Sequence, residues 1–462
     1  MPPRPGDIID VDVTTLAYGG QGVARLDEFV VFVRGGVPGD RVRARITKRK
    51  RSHAEARVLE ILTPSARRVA PRCRHSQECG GCEWQTLSYD AQLEFKQQQV
   101  VDSLQRLAHL EGYELVPIRG MDDPWRYRNK MEFSFGTDED GGLVLGLHKR
   151  GSWKDIVDVV DCTLASERMN NARLAVAEAC RALGLQPYSR EGDGGLVRHL
   201  VVREGRSSGD LLLNLFVAAR FPEESELTAR VTAASGCTSF AITVNESRAD
   251  AAVGDGPHML AGPPYLRERL AGVDLRVPAT AFLQTNSAMC EVLYETALRY
   301  AAPDPARASV DLYCGIGSLS LPLASSSREV HAIEIQEEAI EAARVNAELN
   351  GVGNAFFYAA DVRPLLRFPP HPVLDAERAD ESDRPAVVIA DPPRAGLARK
   401  ALQRAAALGA DRFVYVSCNP TTLAGNAAEL AELGYRLTRV APVDMFPHTH
   451  HIETVALFER AG

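Results

Sequence analysis

Several features are missing from this chain of 462 residues, and each absence excludes a class of protein. No stretch holds the run of about 18 apolar residues that a membrane-spanning helix needs, and the opening residues Met-Pro-Pro-Arg-Pro-Gly-Asp lack the apolar core of a secretory signal. Positive charge is not in excess, since 53 Lys and Arg stand against 61 Asp and Glu, a net charge of -8. No internal repeat is visible. We therefore expect a cytoplasmic protein without membrane spans, in which any contact with nucleic acid depends on a local basic patch.

The composition is that of a folded globular protein. Hydrophobic residues make up 45% and charged residues 25% of the chain, which excludes disordered and collagenous classes. At about 150 residues per domain, the length predicts about three domains. The nine cysteines lie in a chain without an export signal, so free thiols, metal ligation or catalysis are favoured over a disulfide framework.

Residues 1–62 predict a small β-barrel. Short alternating strands such as Ile8–Val13 and Phe29–Val33 are separated by glycine turns, the spacing of a five-stranded barrel of the oligonucleotide-binding kind. Residues 41–57 carry eight basic side chains against one acid, Glu55. This run is either a patch for nucleic acid or an ordinary solvated face.

The rest of the chain divides into a β-rich part and an α/β part. Residues 63–84 are irregular and contain cysteines, 85–111 have the apolar spacing of one amphipathic helix, and 116–270 are dominated by strands. After residue 275, short apolar strands alternate with amphipathic helices, which predicts a parallel sheet with crossover helices. We assign 63–84 and 116–270 to a central β-rich domain, and 85–115 and 271–462 to a Rossmann-like α/β domain.

A cofactor site is indicated by a glycine turn and two acidic positions. Asp311-Leu-Tyr-Cys-Gly-Ile-Gly-Ser318 follows one strand, Glu334 ends the next, and Asp391-Pro-Pro-Arg394 ends another. Such a turn lets a ligand lie against the backbone, and a carboxylate at the tip of the next strand can accept hydrogen bonds from ribose hydroxyls. The alternative is a set of tight strand–helix turns without a ligand. The combination resembles class I methyltransferases that use S-adenosylmethionine.

A nucleophile and a base are candidates in the last fifty residues. Cys418, in Val416-Ser-Cys-Asn-Pro420, follows a buried strand at the edge where such folds bind substrates, although a packed core cysteine is the ordinary alternative. A thiolate that adds to carbon 6 of uracil makes carbon 5 nucleophilic, and a base must later remove the carbon 5 proton. Glu453 is our candidate for that base. His448, His450 and His451 lack the spacing of a zinc site.

Five motifs in order resemble the RNA (uracil-5-)-methyltransferase family. They are Tyr127-Arg-Asn-Lys130, Phe282-Leu-Gln-Thr-Asn286, Asp391-Pro-Pro-Arg394, Cys418-Asn-Pro420 and Asp444-Met-Phe-Pro-His-Thr-His-His-Ile-Glu453. The resemblance implies Cys418 as nucleophile, Glu453 as proton acceptor, and S-adenosylmethionine bound by Gln284, Tyr313, Glu334 and Asp391. It suggests Asp361 for the adenine. Ser318 stands where some members carry Asn, and His451 is expected to orient Glu453 or to pack.

Four further cysteines form a separate set: Cys73, Cys79, Cys82 and the distant Cys162. Their spacing alone leaves a zinc ion and an iron-sulfur cluster near even. The branch of the family that modifies 23S ribosomal RNA carries a 4Fe-4S cluster on a similar pattern, so the resemblance implies a structural 4Fe-4S cluster here. The N-terminal barrel resembles a TRAM domain, a module that binds RNA.

We interpret the chain as a multidomain α/β enzyme that methylates carbon 5 of a uridine in 23S ribosomal RNA. It is expected to act as a monomer without an obligate protein partner. Transfer RNA is the alternative substrate, disfavoured because the family's transfer-RNA enzymes generally lack both the barrel and the four cysteines. An RNA-binding assembly factor with a vestigial site is the alternative from another class. A cytosine-5 methyltransferase is disfavoured because Ser417, not proline, precedes Cys418.

Overall fold

The N-terminal residues form a closed five-stranded barrel, as predicted. This computed structural model describes residues 3–189, 194–247, 251–252, 254–377 and 383–461. The strands pair in the order β1-β2-β3-β5-β4, and alternate side chains such as Val11, Val31 and Ala44 fill the interior. The strands are β1 (Ile8–Leu16), β2 (Gly22–Leu26), β3 (Phe29–Arg34), β4 (Arg41–Arg49) and β5 (His53–Thr63).

A helix and a short strand connect the barrel to the α/β part. Helix α1 (Tyr89–Arg106) is shorter than the predicted 85–111. Before the helix, Leu87 forms a β-bridge with Arg68 and packs below the barrel. After the helix, His109 has a left-handed φ of 53°, which is incompatible with a right-handed helix. Strand β6 (Glu114–Leu115) then joins the edge of the C-terminal sheet.

The middle of the chain folds into a seven-stranded sheet in the order β13-β12-β11-β10-β7-β8-β9. Helices α2 and α3 cover the face that carries Leu213 and Leu215, whereas Leu212 on the other face joins the core of the C-terminal part. The elements are β7 (Lys130–Thr137), β8 (Leu143–His148), β9 (Ile156–Val157), α2 (Glu167–Ala182), β10 (Val197–Glu204), β11 (Leu211–Val217), α3 (Glu224–Ser235), β12 (Ser239–Val244) and β13 (Pro257–Ala261).

A hairpin and an eight-stranded sheet complete the chain. The hairpin consists of β14 (Tyr265–Leu270) and β15 (Val273–Pro278). Its turn lies beside the predicted domain boundary at residues 270 and 271. The domain boundaries stay predictions. No helix in the described ranges has the length and apolar character needed to cross a bilayer. The remaining elements are α4 (Ser287–Ala301), β16 (Ala308–Leu312), α5 (Ser320–Ala324), β17 (Glu329–Glu334), α6 (Glu337–Leu349), β18 (Ala355–Ala359), α7 (Val362–Leu365), β19 (Val387–Ala390), α8 (Arg399–Ala407), β20 (Arg412–Ser417), α9 (Pro420–Glu432), β21 (Tyr435–Val443) and β22 (Glu453–Arg460).

The order of this sheet creates a crevice. The strands run β18-β17-β16-β19-β20-β22-β21-β6, with β16 to β20 parallel and β22 antiparallel to both of its neighbours. The chain builds outward from β16 to β18 and then returns to the other side of β16 with β19. Ligands of open α/β sheets bind at such a reversal, beyond the carboxyl ends of the strands. The predicted parallel sheet with crossover helices is therefore present.

Candidate active site

The sequence-predicted residues of the α/β part converge on this crevice. Tyr313, Glu334 and Asp361 follow or end β16, β17 and β18 on one side of the reversal, while Asp391 and Cys418 follow β19 and β20 on the other. Because the strands are parallel, all five positions share one edge of the sheet. The structure brings them together, and the individual roles assigned above stay predictions.

Glu453 reaches the same edge from the opposite direction. It opens β22, which runs antiparallel to β20 with Ser417 opposite Thr454. The start of β22 thus lies beside the end of β20. Cys418 and Glu453 are consequently neighbours, although 35 residues of chain separate them.

The glycine turn wraps around the carboxylate of Glu334. Tyr313, Gly315 and Gly317 have left-handed φ values of 67°, 54° and 83°, which are permissive for glycine but strained for tyrosine. The amide of Gly315 donates to Oε2 of Glu334 at 3.3 Å, and the amide of Gln336 donates to Oε1 at 3.0 Å. These bonds fix the carboxylate at the tip of β17, where a ribose can reach it.

A buried carboxyl group lies beneath the turn. Asp311 is 1% exposed, and the hydroxyl of Ser320 donates to it. Burial raises the pKa of Asp311 to about 7, and the Ser320 hydrogen bond opposes that rise. Asp311 therefore connects the glycine turn to α5 from inside the protein.

Three of the family motifs meet behind Asp391. Burial raises the pKa of the Asp391 carboxyl group to about 7. Gln284 donates a side-chain hydrogen bond to this carboxyl group, which partly opposes the rise. The side-chain amide of Asn129 donates to the carbonyl of Gln284 and to the hydroxyl of Ser287, both at 2.9 Å. Asn286 donates to the carbonyl of Met445 at 3.0 Å. The motifs thus fix one another's backbones around Gln284.

Cys418 is a protonated thiol in the free protein. It is half-buried between β20 and α9, and burial is the main cause that raises its pKa to about 12. The carboxylates of Glu453 and Asp391 raise it further, whereas the guanidinium of Arg394 lowers it. Addition to a ring carbon therefore requires that the thiol lose its proton in the assembled site.

Glu453 is a buried carboxyl group without a fixed partner. It is 3% exposed, and its Oε2 makes no hydrogen bond within the described part of the chain. Burial, with a contribution from Asp391, raises the pKa of Glu453 well above its ordinary value. A carboxyl group with a raised pKa is a stronger base when ionised, which suits proton removal from carbon.

A buried ion pair holds the segment that leads to Glu453. Nζ of Lys96 in α1 lies 2.6 Å from Oδ1 of Asp444, and neither side chain is exposed to solvent. Lys96 also donates to the carbonyl of Phe446 at 3.0 Å, and the hydroxyl of Tyr89 donates to Oδ2 of Asp444 at 2.8 Å. Helix α1 is thereby part of the support of the active site.

The three nearby histidines each contact other protein groups. His448 stacks on Trp125 with ring centroids 3.8 Å apart. His450 pairs with Glu83, and the ring of His451 lies edge-on to Phe446 at 5.9 Å. In the described ranges these three histidines do not form a group of metal ligands.

Sequence reasoning gave no role to two residues at the site. The guanidinium of Arg394 donates to the hydroxyl of Tyr18, at the turn after β1, over 3.4 Å. Burial raises the pKa of Tyr18, and the charges of Cys418 and Glu453 raise it further. The barrel thus reaches the active site directly. Arg394 lies within the motif Asp391-Pro-Pro-Arg394, but its contact with Tyr18 spans 376 positions and has no local signal.

The four cysteines set apart in the sequence line one cavity. Cys73, Cys79, Cys82 and Cys162 surround a space of about 140 Å³ between the irregular segment and the central sheet. The amide of Gly81 donates to the sulfur of Cys79 at 3.4 Å. Among the described residues, no three of these sulfur atoms lie within 4.8 Å of one another.

The crevice, the glycine turn around Glu334 and the acidic motif at β19 belong to an α/β methyltransferase fold. Comparison with known proteins gives the family. Residues 265–461 match the tRNA (uracil-5-)-methyltransferase family, and residues 3–59 match the TRAM domain. The chain belongs to the RNA (uracil-5-)-methyltransferase family and is an RNA (uracil-5-)-methyltransferase that uses S-adenosylmethionine.

Relatives match along the whole chain. An uncharacterized RNA methyltransferase of Halalkalibacterium halodurans is 36% identical over 460 residues, covering 99% of this chain and 98% of that protein. Another, of Thermosynechococcus vestitus, is 37% identical and covers 98% of each. The crystal structure of Pyrococcus abyssi tRNA (uracil-54, C5)-methyltransferase in complex with S-adenosyl-L-homocysteine is 28% identical, with a TM-score of 0.76, and covers 97% of this chain and 99% of that chain.

Proposed function

We propose that the protein methylates carbon 5 of a specific uridine in 23S ribosomal RNA through a covalent adduct of Cys418 at carbon 6, with Glu453 as the base that removes the carbon 5 proton. The observation that carries this proposal is the pairing of β20 with β22, which sets the thiol and the carboxyl group side by side at the cofactor crevice. A thiol and a base beside the methyl donor are the two groups that this chemistry requires.

Two side chains of this protein, Cys418 and Glu453, take part in the reaction. Cys418 loses its proton to solvent, and its sulfur bonds to carbon 6 of the uracil while the electron pair of the carbon 5–carbon 6 double bond moves toward the carbon 4 carbonyl, which forms an enolate whose carbon 5 can bond to a methyl group. S-adenosylmethionine, when bound, supplies the methyl group and a positive charge that offsets the carboxylates around Cys418. Glu453 then accepts the proton from carbon 5, the double bond re-forms, and the bond from carbon 6 to sulfur breaks to release Cys418.

The cofactor is proposed to bind across the carboxyl edge of the sheet. Glu334 is oriented by two backbone amides and would accept hydrogen bonds from the ribose. Tyr313 beside it would pack against the adenosine. Gln284 and Asp391, which are hydrogen-bonded to each other, would hold the methionine end.

Asp361 is proposed for the adenine. It caps α7, where its carboxylate accepts from the amide of Arg363 at 2.7 Å, and its charge raises the pKa of Tyr313, with burial as the main cause of that rise. This proximity to Tyr313 supports its assignment to the adenosine side of the crevice.

RNA is the substrate, and its path is proposed to run from the barrel to Cys418. The basic run of 41–57 lies on β4, β5 and the turn between them. Tyr18 extends from the same barrel to Arg394 at the active site. Because the target base must leave its stack to reach Cys418, a barrel that grips the flanking strand beside the site suits this task.

The four-cysteine cavity is proposed to hold a 4Fe-4S cluster with a structural role. A single zinc ion with sulfurs at about 2.3 Å would require them to be about 3.8 Å apart, closer than any three of them lie here. The wider spacing around a 140 Å³ cavity suits a larger group. Cys73, Cys79, Cys82 and Cys162 would be the ligands, and Arg128, which also lines the cavity, offers a balancing positive charge.

Transfer RNA is the second candidate substrate, and the comparison with the archaeal structure favours it. That protein is by its name a tRNA (uracil-54, C5)-methyltransferase, yet it covers 97% of this chain. A match of that extent includes most of the barrel and the cysteine segment, so these parts do not by themselves separate ribosomal from transfer RNA. The nucleoside analysis described next decides between the two RNAs.

The experiment is mass-spectrometric nucleoside analysis after incubation of the anaerobically purified protein with S-adenosylmethionine. Unmodified large-subunit ribosomal RNA and unmodified transfer RNA are tested separately. The matched variants are Cys418→Ala and Cys237→Ala, the latter a half-buried thiol on the central domain. We expect 5-methyluridine in ribosomal RNA only, lost in Cys418→Ala and kept in Cys237→Ala.

Other outcomes overturn distinct parts of the proposal. Formation of 5-methyluridine in transfer RNA alone would refute the ribosomal substrate but would leave the proposed mechanism unchanged. Product from Cys418→Ala refutes the covalent mechanism. Binding of both RNAs without methylation would support the assembly-factor alternative.

A further inference from the structure

A cluster of two histidines and a glutamate lies at the edge of the sheet opposite to the crevice. Glu329 and His331 are alternate residues at the start of β17, so their side chains share one face of the sheet. His371 approaches that face from the segment after α7, just before a 3₁₀ turn over Pro372–Leu374. One oxygen of Glu329 and one ring nitrogen from each histidine all lie within 4.8 Å of one another.

His331 is the central member of this cluster. It is fully buried, and its Nε2 makes no hydrogen bond within the described part of the chain. That nitrogen lies 3.8 Å from Oε1 of Glu329, while Nδ1 is hydrogen-bonded at 2.9 Å to the hydroxyl of Tyr358. A buried nitrogen with an uncommitted lone pair, close to a carboxylate and beside a second imidazole, indicates that a ligand belongs between them.

The surroundings of His331 are those of a metal ligand. Histidines that bind metals almost always donate their other ring nitrogen to an acceptor, which fixes the ring, and the Tyr358 oxygen is placed to be that acceptor. The ring of His371 lies 4.3 Å from that of His331, centroid to centroid, and Phe356 stacks on His331 at 5.3 Å. The aromatic ring holds the imidazole in place and restricts water.

We propose that Glu329, His331 and His371 form a zinc site. Two imidazoles and one carboxylate are a ligand set that zinc uses, with bonds of about 2.0–2.2 Å and therefore ligand atoms about 3.3–3.6 Å apart. The gap of 3.8 Å between Glu329 and His331 is close to that value. Three ligands come from the chain, and water takes the fourth position.

Two existing hydrogen bonds would adjust to the ion. Oε1 of Glu329 accepts from Arg328 at 2.8 Å, and Nδ1 of His371 accepts from the amide of Val373 at 3.3 Å. The first bond can remain, since a carboxylate has further lone pairs. The hydrogen bond from Val373 is long. It remains if Nε2 of His371 binds zinc and is replaced if Nδ1 does.

Zinc at this site would take no part in the methyl transfer. Five residues separate Glu329 from Glu334 along β17, which is about 16 Å at 3.3 Å per residue. Zinc bound here is thus remote from the crevice. It would fasten the segment 368–377 to the sheet by joining His371 to two side chains of β17.

The test is equilibrium dialysis of the holoprotein against Zn²⁺, with bound zinc counted per chain. The variants are His371→Ala and Glu329→Gln, which leave the buried His331 in place, and the matched control is His258→Ala, an exposed histidine on β13. We expect the wild type and His258→Ala to hold one more zinc per chain than either site variant. Any zinc bound at the four cysteines cancels in this difference, because those cysteines are the same in every variant.

Hydrogen exchange of residues 368–377 gives the second measurement. Zn²⁺ should slow exchange of this segment at least tenfold in the wild type and leave it unchanged in His371→Ala. Equal zinc content in wild type and site variants would overturn the site. A zinc difference without slower exchange would overturn the fastening of the segment.

Discussion

The raised pKa of Cys418 predicts slow alkylation of this thiol in the free protein. An ordinary cysteine has a pKa of about 8.5, so about 3% is thiolate at pH 7. With a pKa of about 12, Cys418 is ionised only to about one part in 10⁵, roughly three thousandfold less. The greater nucleophilicity of a more basic thiolate offsets one to two powers of ten of that factor. We therefore expect iodoacetamide to react about 30 to 300 times more slowly with Cys418 than with free cysteine at pH 7.

The pH dependence separates ionisation from access. Access to a half-buried sulfur does not depend on pH, whereas the thiolate fraction rises tenfold per pH unit well below the pKa. Alkylation of the Cys418 peptide, followed by mass spectrometry, should rise about tenfold per unit from pH 7 to 9 without a plateau. Asp391→Asn should speed the reaction at pH 9, because the pKa of Asp391 is about 7 and its charge then opposes the thiolate. A plateau near pH 7 would refute this account of the thiol.

Two further predictions concern buried charges that support the site. Lys96→Met leaves the Asp444 carboxylate buried without its counterion and should lower the free energy of unfolding by about 3–5 kcal/mol. The exposed pair of Arg230 with Glu226 is the control, since Arg230→Ala should cost less than about 0.5 kcal/mol. The pKa of Asp311 is about 7 in the folded protein, against an ordinary value of 3.8. The folded state therefore holds this proton more tightly than the unfolded state does. The stability that this group contributes is lost as the pH rises from about 4 to 7. Asp311→Asn should remove up to about 4 kcal/mol of that pH dependence.

Thermal unfolding midpoints at pH 5.5 and 8 check both predictions. Equal midpoints for Lys96→Met and Arg230→Ala would contradict the buried ion pair. An Asp311→Asn protein that loses as much stability as the wild type between the two pH values would contradict the burial of that carboxyl group.

Local patterns in the sequence were sufficient for the elements of the crevice. The strands that became β16, β17, β19 and β20 are short and mainly apolar, because parallel strands are buried on both faces of the sheet. Each is followed by a motif of glycine, proline or acid at its carboxyl end. Since parallel strands place those ends at one edge, the sequence order of the motifs predicted their meeting.

Contacts between distant segments were not predictable in the same way. The pairs Lys96–Asp444 and Tyr18–Arg394 join residues more than 340 positions apart, and each depends on how separately folded parts pack together. No periodicity or spacing encodes such packing, which depends on the shapes of whole surfaces. The cluster of Glu329, His331 and His371 has no local signal in the sequence either, because His371 meets β17 from forty residues away along the chain.

The most direct test of the mechanism is to replace the proposed base. Glu453→Gln keeps the size of the side chain but cannot accept the carbon 5 proton, so methylated RNA should remain bonded to Cys418. Glu459→Gln, on the same strand, is the matched control. After incubation with substrate RNA and S-adenosylmethionine, denaturing electrophoresis and mass spectrometry should show a covalent RNA–protein adduct in Glu453→Gln, and none when Cys418→Ala is added. Release of free 5-methyluridine product by Glu453→Gln at the wild-type rate would contradict the assignment of Glu453.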